Sequence, residues 1–111
     1  MDKYSIRITA QAREHLRSIR DYIAIDLSEP GIAKSILKLL RKRMATLSFM
    51  PHRVKLIDEQ PWRDIGFRKI CVKNYYVYFW INDAAKQVNI IAVIYVKRDQ
   101  APLLTELNPE T

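Results

Sequence analysis

Glycine is nearly absent, with two in 111 residues. Gly31 and Gly66 stand alone, so no glycine-rich loop is available to cradle a nucleotide phosphate. One cysteine excludes an internal disulfide framework and makes a reducing cytoplasm the expected home. Cys71 falls inside a strand pattern, where a small buried thiol is expected rather than a nucleophile. The two histidines, His15 and His52, lie far apart without cysteine or carboxylate at ligand spacing, so neither metal nor cofactor is expected. No Ser/His/Asp or Cys/His arrangement is visible. No apolar run reaches membrane-spanning length, and Met1-Asp2-Lys3 leads directly into a strand pattern, so no membrane partner and no export signal are expected.

Acidic side chains are also in deficit: 12 against 19 lysines and arginines, a formal net charge of +7. Such an excess points to an anionic partner, whether nucleic acid, ribosome or acidic protein segment, and says nothing about fold.

What is present is a strand-rich second half. Phe67–Val72, Tyr75–Ile81 and Val88–Val96 are dense in β-branched and aromatic residues and read as three antiparallel strands. The turn Lys73-Asn74 predicts a tight hairpin with Asn74 in the left-handed region. Alternation along the middle strand puts Val77, Phe79 and Ile81 on one face, expected in the core. Tyr76, Tyr78 and Trp80 fall on the other face, expected to stay partly open and rimmed by Arg68, Lys69, Lys73, Lys97 and Arg98. Two roles remain open for these aromatics: a second packed layer, or a surface for a ligand.

The first half predicts a short strand, Tyr4, Ile6 and Ile8 alternating with polar residues, and then two helices. Thr9 is placed to cap the first helix, whose stripe is Ala12, Leu16, Ile19, Ile23 and Leu27. Ser28-Glu29-Pro30-Gly31 breaks the chain and restarts it, with Pro30 in a first turn and Ser28 or Glu29 as cap. The second helix runs to about Phe49. So short a link makes an antiparallel helical hairpin. Lys34, Lys38, Arg41, Lys42 and Arg43 have no acidic side chain one turn away on this helix: a solvated surface, or a face for an acidic partner. His52–Arg63 reads as an irregular connection anchored by Trp62. The last segment, with Pro102 and Pro109, reads as a short apolar strap and a frayed end. The order is β-α-α-β-β-β: an α+β fold, a small mainly antiparallel sheet with a helical hairpin packed on one face.

An ordered set of motifs then resembles the bacterial RelE/ParE toxin superfamily: Tyr4-x-Ile6-x-Ile8-Thr9, Ala12-x-x-x-Leu16-x-x-Ile19-x-x-Tyr22-Ile23, Pro30-x-x-Ala33, Leu47-x-x-x-Pro51-x-Arg53, Gly66-x-Arg68-Lys69, Asn74-Tyr75-x-Val77-x-Phe79 and Val93-x-Tyr95-x-x-Arg98-Asp99. The resemblance implies one toxin domain over 1–104 with a tail over 105–111. It implies a growth-arresting, plasmid-stabilising component of a type II toxin–antitoxin system, held by an antitoxin with an acidic tail. Two targets follow from it. ParE-like members bind DNA gyrase, and the hairpin and the Gly66-x-Arg68-Lys69 strand favour that branch. RelE-like members cut mRNA on the ribosome without metal. For cleavage the candidates are Arg68, Tyr95, Lys97 and Arg98, positioning phosphate and moving protons.

This sequence departs from the RNases at Tyr76, where an arginine is common, and at Ala101-Pro102-Leu103-Leu104, where a tyrosine or histidine is common. It departs from ParE-like chains at Tyr95, where histidine is common. For binding a target or antitoxin the candidates are Arg68, Lys69, Tyr76, Tyr78, Trp80, Lys97, Arg98, Lys34, Lys38 and Arg41. A non-toxic homologue and a small RNA-binding domain stand as further readings.

Overall fold

The computed structural model describes residues 3–107. Its elements are β1 (Ser5–Ile8), α1 (Ala10–Asp21), a π-helical turn (Tyr22–Asp26), α2 (Pro30–Ala45), short 3-10 turns at Thr46–Ser48 and Pro51–Arg53, α3 (Trp62–Ile65), β2 (Arg68–Val72), β3 (Tyr75–Asn82), β4 (Gln87–Tyr95) and α4 (Gln100–Thr105). The α+β architecture is the expected one. The four strands lie in the order β1-β4-β3-β2, with β1 parallel to β4 and the other pairs antiparallel.

Each helix begins for a local reason. Thr9 is extended and accepts from the Ala12 amide through Oγ1, while the same hydroxyl donates to the Ile90 carbonyl, tying the start of α1 to the sheet. Pro30 opens α2 at a position where its missing N–H is not needed. The expected cap at Ser28 or Glu29 does not form: Glu29 precedes α2 but its side chain makes no capping bond.

The hairpin packs on one face of the sheet. Ala12, Leu16, Leu40, Met44 and Leu47 from the helices meet Val72, Val77, Phe79, Val88, Ile90 and Val93 from the strands. The alternation of β3 and β4 stays in phase across a bulge, where Tyr78 pairs with Ala92 and Phe79 with Ile90. The unpaired Ile91 joins Ala92 on the opposite face, and Val93 returns to the helical side.

That opposite face is not open. Ile57, Phe67, Tyr78, Ile91, Ala92, Ile94 and Leu104 form a second buried cluster, with Trp62, Tyr76, Trp80, Leu103 and Leu107 packed around it. The segment around Ile57–Phe67 and helix α4 cover it, because each carries apolar side chains with no other place to go. Trp62 anchors the connection as expected, and the apolar strap is a short helix. Residues 108–111 of the expected frayed tail lie outside the described residues.

Two local expectations are corrected. Lys73, not Asn74, takes the left-handed conformation in the β2–β3 turn, with φ 56°. Cys71 is exposed, since β2 is an edge strand and its side chain points away from the helical core.

Candidate functional site: a tyrosine-lined cleft at the end of the sheet

Where β3 begins, β4 ends. Their register pairs Tyr75 with Tyr95, and the rings meet edge to face at 5.9 Å. The π-helical turn closes α1 at the same end of the molecule. A wider helical turn re-aims the side chains that follow it, and Tyr22 and Leu27 stand 55% and 50% exposed at its two ends. Between them lies a cleft of about 810 Å³, lined among others by His15, Tyr22, Lys73, Tyr75, Tyr95 and Arg98, with Ile19, Ile32, Ile36 and Val93 as its apolar walls.

The turn after β4 is held from behind by Gln100. Its Nε2 donates to the carbonyls of Tyr95 (3.0 Å) and Arg98 (2.6 Å), and its Oε1 accepts from the buried hydroxyl of Tyr78 (2.9 Å). Tyr78 therefore supports the cleft from the second core.

The electrostatics are one-sided. Among the described residues Lys73 and Arg98 line the cleft and no carboxylate does. Burial, then the guanidinium of Arg98, lowers the His15 pKa below the ordinary imidazole range. Geometry agrees: the Val93 amide donates to His15 Nδ1 at 3.1 Å, so Nδ1 carries a lone pair and the neutral ring's proton sits on Nε2. His15 can donate a hydrogen bond into the cleft but has no free lone pair with which to accept a proton. The Tyr75 hydroxyl is raised by burial and by its neighbours Tyr95 and Tyr22. Burial also raises the hydroxyl of Tyr78 behind the cleft.

The expected site residues are scattered. Tyr95 and Arg98 share the cleft, with exposed Lys97 between them in sequence. Arg68 lies at the opposite end of β2, level with Phe79 rather than with Tyr75, and its guanidinium donates to the Val54 carbonyl. Lys69 and Tyr76 form a cation–π pair, Nζ 4.1 Å from the ring centroid, on the second face. Tyr78 is fully buried and cannot meet a partner, and Trp80 is half-buried beside it. Lys34 and Arg41 line a different groove, between α1 and α2, while Lys38 is exposed on α2. His15, Tyr22 and Tyr75 are cleft residues that sequence reasoning passed over, while Lys73, expected as a rim cation of the aromatic face, lines the cleft instead. The pairing of a strand's first residue with its partner's last was the available signal for Tyr75.

Among the described residues no group of three or more His, Cys, Asp or Glu side chains could hold a metal ion. No helix among them is long and apolar enough to cross a membrane.

Comparison with known proteins follows the same lines. The fold is that of the α+β toxins of the RelE/ParE superfamily. The ParE toxin family of type II toxin–antitoxin systems (parDE) matches residues 6–100, and the chain belongs to that family. Among solved structures, the chromosomal ParDE toxin–antitoxin system of P. aeruginosa is similar at 17% identity and TM-score 0.71, covering 86% of this chain and 98% of the other. The RelBE2 toxin–antitoxin complex of Mycobacterium tuberculosis is similar at 23% identity and TM-score 0.59, covering 86% and 93%. A mutant E. coli RelE toxin in the free state is similar at 14% identity and TM-score 0.63, covering 94% and 93%. At these identities the likeness is one of fold. No curated protein matches in sequence.

Proposed function

We propose that this toxin acts by binding, in the ParE-like manner, with DNA gyrase as its target in the cytoplasm, and that an antitoxin with an acidic segment neutralises it and so controls growth arrest. One observation carries the reading: the cleft has recognition groups without a proton acceptor. Three tyrosines and two cations suit an amphipathic, acidic partner segment, in which apolar side chains fill the walls and carboxylates meet Lys73 and Arg98. The groups that RNA cleavage would require are divided, with Arg68 at the far end of β2 and His15 committed through Nδ1 to the Val93 amide. The solved neighbours in the ParDE and RelBE systems are toxin–antitoxin assemblies, which supports an antitoxin for this chain too.

The test sets gyrase supercoiling beside translation-coupled mRNA cutting, using the purified chain. Loss of supercoiling with intact mRNA is expected. Arg98→Ala should weaken that inhibition about tenfold or more without lowering the melting temperature, since Arg98 is exposed and its side chain makes no described ion pair. Cuts in the ribosomal A site with gyrase unaffected would replace the reading by mRNA cleavage, in which Tyr95, Lys97 and Arg98 hold the phosphate.

A further inference from the structure

A second concave surface lies on the hairpin, and no residue lining it also lines the tyrosine cleft. It is the groove between α1 and α2, about 740 Å³, with Arg13, Arg17 and Arg20 along one wall and Lys34 and Arg41 along the other. The sequence explains both rows. Arg13, Arg17 and Arg20 recur at four- and three-residue steps, which keeps them on one face of α1. Lys34 and Arg41 are two helical turns apart on α2. The antiparallel hairpin sets Arg41 opposite Arg13 and Lys34 opposite Arg20. Among the described residues only Arg17 and Arg20 of the five have acidic partners, Glu14 at 2.6 Å and Asp21 at 3.0 Å, all of them solvent-exposed. Nothing in the packing of α1 on α2 needs this arrangement, and like charges facing each other across a groove oppose it.

The geometry points to a docking strip for the phosphate backbone of duplex DNA, separate from the tyrosine cleft. Three features select this occupant. Four of the five cations are arginines, whose planar fork pairs bidentately with phosphate. The exposed large apolar side chains of the described residues, including Tyr22, Ile25, Leu27 and Ile32, all lie outside the groove, whose apolar floor is buried at Leu16 and Ala33 and half-buried at Ile8, Ala24 and Leu37, with Pro30 at its rim. A protein partner would therefore find no exposed large apolar anchor there among the described residues. Among the described residues no aromatic ring lines the groove to stack an unpaired base, which favours a duplex over a single strand. Each row spans about 10 Å of helix at 1.5 Å per residue, and over that length of duplex axis one strand presents roughly three phosphates at 3.4 Å of axis each.

The proposal is independent of gyrase, because it is measured with DNA alone; its failure leaves the binding reading of the cleft intact. The probe is a fluorescent duplex DNA of arbitrary sequence titrated with the full chain at several salt concentrations. With three to five phosphates neutralised, log K should fall against log salt with a slope between about −2.7 and −4.5. Arg13→Gln/Arg41→Gln should reduce that slope by about 2 and weaken binding roughly tenfold or more. Arg13→Lys/Arg41→Lys should restore most of both, and Lys42→Gln/Arg43→Gln, the same loss of charge on α2 outside the groove, should change binding by less than about threefold. Equal losses in the groove and control variants would reduce the strip to diffuse charge and overturn the proposal. So would tighter binding of duplex RNA or of poly-glutamate, or a wild-type chain that does not bind DNA at all.

Discussion

Replacing Tyr78 tests whether the second sheet face is interior or a working surface. Its ring is fully buried among Ile57, Phe67, Ile91 and Leu104, and its hydroxyl donates to Gln100 at 2.9 Å. Tyr78→Ala removes a large buried aromatic from between the sheet and the two segments that cover it. Truncations of this kind cost roughly 3–5 kcal/mol through lost transfer energy and the cavity left behind. With an unfolding entropy of about 2.1 cal/mol/K per residue, a chain of 111 residues loses about 0.23 kcal/mol per degree near its midpoint. The melting temperature should therefore fall by roughly 13–21 °C. Tyr78→Phe keeps the ring and removes only the hydroxyl, at about 1 kcal/mol or roughly 4 °C. The contrast is read by thermal circular dichroism, with the tyrosine cleft followed by antitoxin or gyrase binding. A surface aromatic would behave in the opposite way. If Tyr78→Ala melts within about 3 °C of the parent while abolishing partner binding, the second core is not what holds the connection and α4 in place.

Two further outcomes follow from single residues. The folded-state pKa of His15 lies below the ordinary imidazole value, so the unfolded chain takes up this proton first as pH falls. Its contribution to stability is fully present above about pH 6.5 and declines as pH drops from there toward the folded value; His15→Gln should flatten that limb of the urea-stability profile, and an unchanged limb would remove His15 as its source. Gly66 has φ 103° at the end of α3, with open space where a Cβ would stand. Gly66→Ala should cost roughly 1–2 kcal/mol from backbone strain alone, about 4–9 °C in melting temperature, and no loss would mean that the turn adopts another conformation.

The fold was largely legible because it rests on patterns local to each segment. The period of the α1 stripe, Pro30 at the start of α2 and the alternation of Val77 and Phe79 each announce an element and its buried side. The cleft was legible only in part. Tyr95 and Arg98 are close in chain order and stand together in space. His15, Tyr22 and Tyr75 join them from other elements, brought in by the β3–β4 register and by a π-helical turn that no local pattern marks. Arg68 shows the converse: four strand positions from the turn carry it to the opposite end of the sheet, where it holds the Val54 carbonyl.

Local spacing along the chain was enough to determine a four-stranded sheet backed by a helical hairpin, and an excess of cations along α2. It could not determine what covered the far side of the sheet, since burial of Tyr78 depends on where Ile57, Phe67 and Leu104 come to rest. That placement is a property of the assembled fold. Apolar segments distant in sequence settle where they remove one another from water, and a side chain's own neighbours in sequence do not record which segment will lie on top of it.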